Sequence, residues 1–487
     1  MNTRDIKGFE LTVDGDAYFF EPRSGGIYQL SGLLKDILQL AETTDQENIE
    51  SLLSSEYNPE CVRESLALLE REGVFRSGDE TGPRPMEDSL GAKELYLQIS
   101  HQCNLRCSYC YAEGGHFGGP AAMMDETTAQ QAVDFLLDSA GSEDICSLNF
   151  DGGEPFLNFE LVRRMVDYAG GEAKKRDKRL SLNISSNGTL LTEENVRYLK
   201  SNRFSLGLSI DGDRPTHNRA RLTASGSGSY DLLLSAIQQS QLFRQMPYAQ
   251  ARGTITRESL HCHATVRHLL DLGFKIIYLE PVGGANTTGA VDVSHMERLE
   301  REFKEIAALY TEELLNGNML LLRNFFRPLE KIHSRSQFGF RCSAGVHTLA
   351  VSPGGEIYPC YKFVGMEDYV MGNIGDGTLD QSIMRRFRHN HVNTKDSCRQ
   401  CWARFLCGGG CPYLGASMHG DIAAADKIDC DFTRLMCRLA LVIYITLSRR
   451  NPKILDSLLG PGQRNEEVTD KPVNIKKAGV GREKDRM

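Results

Sequence analysis

ISHQCNLRCSYCYAE, residues 99–113, closes the apolar run LYLQIS with three cysteines, Cys103, Cys107 and Cys110, spaced C-x3-C-x2-C. Cysteine thiolates are the usual ligands of a cubane iron–sulfur cluster, which takes four of them when it only carries electrons. Three thiolates leave one iron open to a substrate or cofactor. The competing reading is an incomplete zinc knuckle. Zinc favours C-x2-C pairs with a second pair downstream, and the next thirty residues hold no cysteine.

Four polar segments follow the ends of later apolar runs. They are Asp151-Gly152-Gly153-Glu154-Pro155 after SLNF, Ser185-Ser186-Asn187-Gly188, Ser209-Ile210-Asp211-Gly212, and His217-Asn218-x-x-Arg221. Each alone is an ordinary strand-terminal turn, because Gly, Asn and Asp are common turn residues. In series with the cysteine motif and aromatic Tyr109, they resemble the radical S-adenosylmethionine (SAM) enzymes. The resemblance implies a SAM site. Gly152, Gly153 and Glu154 would hold the amino group, and Tyr109, Ser185, Asn187, Ser209 and Asp211 would line the cofactor. Arg221 would meet the SAM carboxylate, with Asn218 standing where the family has Asp.

At 487 residues the chain needs two to four domains. Its 40% apolar and 25% charged content is globular. A formal charge of −9 disfavours nucleic acid as a partner. No stretch reaches the length of a membrane span; the nine-residue run LALVIYITL at 439–447 reads as a buried helix. MNTRDIKGFEL has no apolar signal region. Fourteen cysteines without an export signal read as ligands or thiols, which implies a reducing cytoplasm.

The fold expected is α/β, a partial (β/α)6 barrel between two smaller domains. Residues 1–76 carry two strand-like runs broken by Pro22 and Ser24-Gly25-Gly26, then helical stretches and a short closing strand at Val74-Phe75. They resemble a winged helix of the RiPP recognition element type, which captures a precursor's leader peptide by strand addition; a DNA-binding winged helix or a structural cap are the alternatives. Residues 77–92 read as a Pro/Gly/acid linker. From 93 to 285, LYLQIS, SLNF, LSLNIS, SLGLSI, RGTIT and IIYLEP alternate with helices, and every motif above falls at a strand's C-terminal end. Bridging helices span 286–339, a cysteine-rich region 340–437, and a C-terminal helix with a mobile tail from 451 fills 438–487.

The second constellation holds Cys342, Cys360, Cys398, Cys401, Cys407, Cys411 and Cys430. Its C-x2-C-x5-C-x3-C core demands metal, zinc being the alternative to iron–sulfur. The pattern matches the SPASM domain of peptide-modifying radical SAM enzymes, which houses two auxiliary clusters. By resemblance Cys342, Cys360 and Cys411 hold auxiliary cluster I, and Cys398, Cys401, Cys407 and Cys430 hold cluster II. Three [4Fe-4S] clusters then have ten protein thiolates. SAM closes one vacancy. The other, on cluster I, suits a soft thiolate such as a substrate cysteine; Cys437 or His347 could fill it instead. Cys61, Cys146 and Cys262 read as apolar packing.

The resemblance implies that reduced cluster and SAM generate a 5′-deoxyadenosyl radical, which takes hydrogen from a substrate carbon. A substrate thiolate on auxiliary cluster I then couples to that carbon as a thioether, the surplus electron leaving through the auxiliary clusters, while Gly114-Gly115-His116-Phe117-Gly118-Gly119 shapes a loop over the site. The chain is most similar to thioether-forming maturases of Cys-rich ribosomal peptides (SCIFF and ranthipeptide enzymes) and to the quinohemoprotein amine dehydrogenase maturase. In sulfatase-maturing enzymes an Asp base follows the cysteine equivalent to Cys360. Here Tyr361 stands there, as a possible substrate-site residue. Carbon–carbon cross-linking is the main alternative; a sulfatase-type maturase or a non-catalytic iron–sulfur peptide-binding protein rank below it. The partners implied are a precursor peptide, its leader on residues 1–76 and its core cysteine at cluster I, and an electron donor such as flavodoxin or ferredoxin.

Overall fold

The computed structural model describes residues 8–41, 44, 46–71, 74, 91–285, 287–377, 379–460 and 475–477. Its first unit is an antiparallel meander of β1 (Phe9–Val13), β2 (Asp16–Glu21) and β3 (Gly26–Gln29). The sequence reading had one run where β1 and β2 lie. The chain turns between them at Asp14-Gly15, whose φ values of 51° and 85° are those of a tight Asp-Gly hairpin. Helices α1 (Gly32–Ala41), α2 (Gln46–Leu53) and α3 (Pro59–Arg71) cover one face, burying Leu34, Ile37, Ile49, Val62 and Leu69. The closing strand expected at Val74-Phe75 is not seen: Val74 lies in a turn, and Phe75 lies outside the described residues, as does most of the expected linker.

Next come β4 (Glu94–Ser100), α4 (Glu126–Ser139), β5 (Ile145–Gly152), α5 (Phe159–Lys175), β6 (Arg179–Ser186), α6 (Glu193–Ser201) and β7 (Ser205–Ser209). They are followed by α7 (Arg214–Ala220), α8 (Tyr230–Gln239), α9 (Leu242–Gln245), β8 (Gln250–Ile255), α10 (Cys262–Asp271) and β9 (Ile276–Pro281). Strands β4 to β9 are parallel and neighbour one another in chain order. Alternation along a strand sends Leu95, Leu97 and Ile99 toward the outer helices, and Glu94, Tyr96 and Gln98 to the opposite, inner face. The other strands present Asn149, Asp151, Ser185, Arg252, Tyr278 and Glu280 in the same way.

Beyond α11 (Met296–Leu315), the short β10 (Leu321–Leu322) extends the sheet at β9, and α12 (Arg323–Ser334) follows. On the opposite edge β11 (Thr348–Val351) pairs with β4 in parallel. Antiparallel β12 (Glu356–Tyr358) and β13 (Gly372–Asn373) complete a ten-stranded sheet. The cysteine-rich region is thus joined to the parallel sheet through backbone hydrogen bonds. Its helices are α13 (Gln381–Arg388), α14 (Asp396–Arg399), α15 (Arg404–Cys407) and α16 (Pro412–His419).

α17 (Lys427–Arg450) begins earlier than the helix read from residue 438. Asp426 caps it, accepting from the Asp429 amide at 2.8 Å, so Cys430 and Cys437 both ride on it. It packs on α11 and α12 and buries most of the 439–447 run. The tail read as mobile from residue 451 includes α18 (Lys453–Leu459), with Ile454 and Leu455 buried, and β14 (Ile475–Lys477), paired in parallel with β3. No helix among the described residues is long and apolar enough to cross a membrane.

Candidate iron–sulfur and cofactor site

The loop carrying Cys103, Cys107 and Cys110 leaves the C-terminal end of β4 and is held by close backbone packing. A Cβ on Gly153 would sit 2.2 Å from the Gln102 carbonyl oxygen, and one on Gly115 would sit 2.8 Å from the Gly153 Cα and 3.2 Å from the Cys103 Cβ. Only glycine fits at either contact, so the Gly-rich loop seals against the cysteine loop. The three thiols are electrostatic neighbours; burial pushes the Cys103 thiol up to about 12. Asn187 donates to Asn104 Oδ1 at 2.8 Å and lies 3.7 Å from the Cys103 Sγ.

Asp211 organises the opposite wall. Its Oδ2 accepts from the Tyr109 hydroxyl at 2.5 Å and from Arg221 Nε at 3.0 Å, while Oδ1 accepts from the Thr254 amide at 2.9 Å. The Arg221 guanidinium lies over the Tyr109 ring and beside Cys107. His217 supports this from behind: its Nδ1 faces the Asp211 amide and its Nε2 contacts the Ser229 hydroxyl at 3.0 Å. Asn218 faces away, accepting from the Tyr230 amide at 2.9 Å. The motif's His and Arg therefore serve the site, and its Asn serves the adjoining loop.

Glu154 was expected to present its carboxylate to the cofactor. It is fully buried and accepts from the Ser186 hydroxyl, the Phe156 amide and the Asn187 amide. It braces β5 against β6 from beneath, and burial pushes its carboxyl up to about 7. Ser185, rather than joining Glu154, accepts from Arg252 at 3.2 Å. Ser209 pairs in register with Arg252 across β7 and β8. Gly152 and Gly153, at the end of β5, leave backbone surface beside the cysteine loop.

The downstream cysteines fall into two electrostatic neighbourhoods. Cys342 and Cys411 both act on Cys360, whose thiol burial pushes well up. Cys342 is itself exposed. The second neighbourhood links Cys398, Cys401, Cys407 and Cys430. Cys437 belongs beside Cys407 and Cys401. His347, the other candidate for closing cluster I, spends Nδ1 on the Gly91 carbonyl at 2.7 Å. Neither has an interaction with Cys342, Cys360 or Cys411 among the described residues.

Among the described residues no three His, Cys, Asp or Glu gather around a single metal ion. The corner irons of a cubane each take their own thiolate, so cluster ligands need not meet at a point. An all-thiol donor set fits iron–sulfur clusters, and cations stand ready to balance them. Lys362 neighbours Cys411 and pairs with Glu280 at 3.2 Å. Arg341 reaches Asp429 at 3.6 Å and lies 3.8 Å from the Cys407 Sγ. Lys395 lies beside Cys398 and Cys407.

An aromatic bridge spans the inner face between Cys110 and Cys360. Tyr111 follows the first and Tyr361 the second, with ring centroids 6.4 Å apart, and Tyr96 meets Tyr361 at 4.8 Å. Sequence reasoning missed Arg252, which neighbours Asp151, Glu280 and Tyr361, and Gln98, buried with both amide heteroatoms unpartnered. Their signal was present: both occupy inward-facing positions of strands where an apolar residue is the default.

Residues 97–240 match the radical SAM superfamily, and residues 342–402 match the SPASM iron–sulfur cluster-binding domain. The chain is 26% identical over 340 residues to the cysteine-type anaerobic sulfatase-maturating enzyme of Clostridium perfringens (strain 13 / Type A), covering 65% of this chain and 88% of that protein. It is 22% identical over 383 residues to the radical SAM cyclopropyl synthase TigE of Paramaledivibacter caminithermalis, covering 75% and 77%. Among solved structures it is similar to native anSMEcpe with bound AdoMet, with a TM-score of 0.62, 22% identity, and 73% and 99% of the two chains covered. Streptococcus suis SuiB bound to the precursor peptide SuiA gives a TM-score of 0.50 at 15% identity, covering 88% and 100%. The chain therefore joins a radical SAM domain to a SPASM iron–sulfur domain on one mostly parallel sheet.

Proposed function

We propose that this chain is a radical SAM enzyme that forms thioether cross-links between a cysteine and a carbon of a ribosomally made precursor peptide. Bound SAM and its reduced cluster would supply the carbon radical that removes hydrogen from the substrate. The chain's own residues then do the rest. Cys103, Cys107 and Cys110 hold the first cluster, the ends of β5 to β8 hold SAM, and Asp211 with Arg221 fixes the cofactor wall. The sealed Gly-rich loop excludes water, and the aromatic inner face confines the reacting carbon. Proximity is the main lever, since a thiolate held in place replaces a bimolecular encounter.

One observation carries this reading: among the described residues Cys360 has Cys342 and Cys411 as its thiol neighbours, while Cys437 stands beside Cys407 and Cys401. A cluster on three thiolates leaves an iron for a substrate thiolate. Tyr361 follows Cys360, where the resemblance to sulfatase-maturing enzymes would require an Asp base, and this argues against that chemistry. Residues 8–71 supply peptide capture. The β3 edge accepts an added strand, as its pairing with Ile475–Lys477 illustrates, and a leader taking that edge would displace them. Mass spectrometry of the reacted peptide tests the reading. A loss of two hydrogens with one cysteine blocked to alkylation is expected. The same loss with every thiol free would instead establish a carbon–carbon bond, and no 5′-deoxyadenosine release with intact clusters would establish a non-catalytic carrier.

A further inference from the structure

Two charged residues cross over between the downstream cysteine groups. Arg341 precedes Cys342 in the chain, yet its guanidinium lies 3.8 Å from the Sγ of Cys407, in the other group. Asp429 precedes Cys430, yet its Oδ2 accepts from the Cys411 amide at 2.9 Å. The two side chains then meet each other, Arg341 Nη2 to Asp429 Oδ1, at 3.6 Å. Each residue is thus tied by its backbone to one group and by its side chain to the other, and the ion pair closes the crossing.

The local backbone brings this about. A Cβ on Gly408, whose φ is +83°, would sit 2.2 Å from the Phe340 carbonyl oxygen, so the chain entering Cys342 runs directly against the loop from Cys407 to Cys411. Asp426 caps α17 through the Asp429 amide and so fixes the turn that carries Asp429 and Cys430. The pair is partly buried, with side-chain exposures of 32% and 12%, and water and salt screen it less than a surface pair. Arg341 has Cys407 and Cys411 among its electrostatic neighbours and acts on Cys342 as well. Asp429 acts on Cys411 and on Cys430. One cation and one anion therefore each face thiols of both groups. The neighbouring lysines differ: Lys362 faces Cys360 and Cys411, and Lys395 faces Cys398, Cys407 and Cys430, each within one group.

We infer that Arg341 and Asp429 are positioning residues that tie together the reduction potentials of the two downstream centres, the cation raising both and the anion lowering both. The inference rests on the iron–sulfur side of the reading above. Local net charge and hydrogen bonds to sulfur are what set such potentials. A positive group beside thiolates favours the reduced, more negative state, and a carboxylate opposes it. Because the pair touches both groups, a change of charge in it cannot be confined to one centre.

The test is potentiometry followed by electron paramagnetic resonance, on the full chain with its clusters reconstituted and no peptide present. Added SAM marks the first cluster by shifting its signal, which leaves two downstream signals to follow. Arg341→Gln is expected to lower both downstream potentials and Asp429→Asn to raise both. Each change is about tenfold or more in the reduction equilibrium, or about 59 mV for one electron. Asn keeps an acceptor for the Cys411 amide, so Asp429→Asn alters charge with little change of shape. The double variant, neutral overall like the native pair, should return both signals toward their original potentials. If Arg341→Gln does not hold its iron, Asp429→Asn and the double variant carry the test. A shift in one signal alone, shifts of the same sign in the two single variants, or no shift overturns the coupling and leaves the peptide-modifying reading standing. Loss of about four or more irons from the double variant does the same, making the pair a scaffold for the cysteines. If the native chain itself shows no downstream iron–sulfur signal while the first cluster is intact, the coupling and the reading beneath it both fall.

Discussion

Phe9 stacks on Trp402 with ring centroids 4.0 Å apart and planes 14° from parallel, and Phe20 meets the same indole edge-on at 6.4 Å. Trp402 is the chain's one tryptophan and follows Cys401 directly. The N-terminal sheet thus rests on the loop that carries a cysteine of the second quartet. Phe9→Ala is expected to shift tryptophan emission to the red and to lower stability by about 1–2 kcal/mol, the scale of a lost aromatic pair and its burial. An unmoved emission maximum would contradict the packing.

Asp211 neutralises Arg221 in a buried setting, with side-chain exposures of 3% and 10%. Asp211→Ala strands that charge and is expected to cost roughly 3–5 kcal/mol. Tyr109→Phe removes one hydrogen bond to the same carboxylate and should cost about 1 kcal/mol. Urea denaturation of both variants measures the order; equal costs would show that Arg221 has another counter-ion.

Iron content separates ligands from bystanders. The three cubanes proposed for this chain would give about twelve irons. Replacing Cys103, Cys107 and Cys110 together by Ala is expected to leave about eight. Cys437→Ala should leave iron unchanged, because Cys437 stands beside Cys407 and Cys401, whose proposed cluster has four thiolates without it; a loss of about four irons would make it a ligand.

His217 supplies a pH dependence. Burial, with help from Arg221, pushes its pKa down to about 4 from an ordinary 6.5. Between those values the unfolded chain takes up a proton that the folded chain refuses. Its contribution is therefore fully present above pH 6.5 and is lost as pH falls toward 4, by on the order of 3 kcal/mol in the limit. His217→Asn retains an acceptor for the Asp211 amide and should flatten the pH dependence of thermal unfolding across that window. An unchanged slope would mean that His217 is protonated in the fold.

The barrel strands are legible in sequence because each is a short apolar run between helices of ordinary length. β11 escaped notice because all four of its residues are buried, which erases the period-two signal, and because its partner β4 lies some 250 residues earlier. The turn at Asp14-Gly15 was passed over since the flanking residues on both sides suit strands. Cysteine spacing reveals ligands that are near in sequence, but the grouping of Cys342, Cys360 and Cys411 across seventy residues came from resemblance alone. Glu154 shows the opposite limit. The motif marks Glu154 but does not reveal that its carboxylate accepts from Ser186 at the end of β6 and from the Asn187 amide just beyond it.

α17 runs as one rod from Cys430 to Arg449, which reaches Asp16 on the N-terminal sheet at 3.0 Å. At 1.5 Å per residue those ends lie about 28 Å apart. The helix is therefore a ruler. An extended chain covers that span with about nine residues, so a segment running along α17 from Asp16 reaches Cys430 only after about that many residues. On the proposed peptide-modifying reading, spacer length as well as sequence would then set which cysteine of a peptide reaches Cys430.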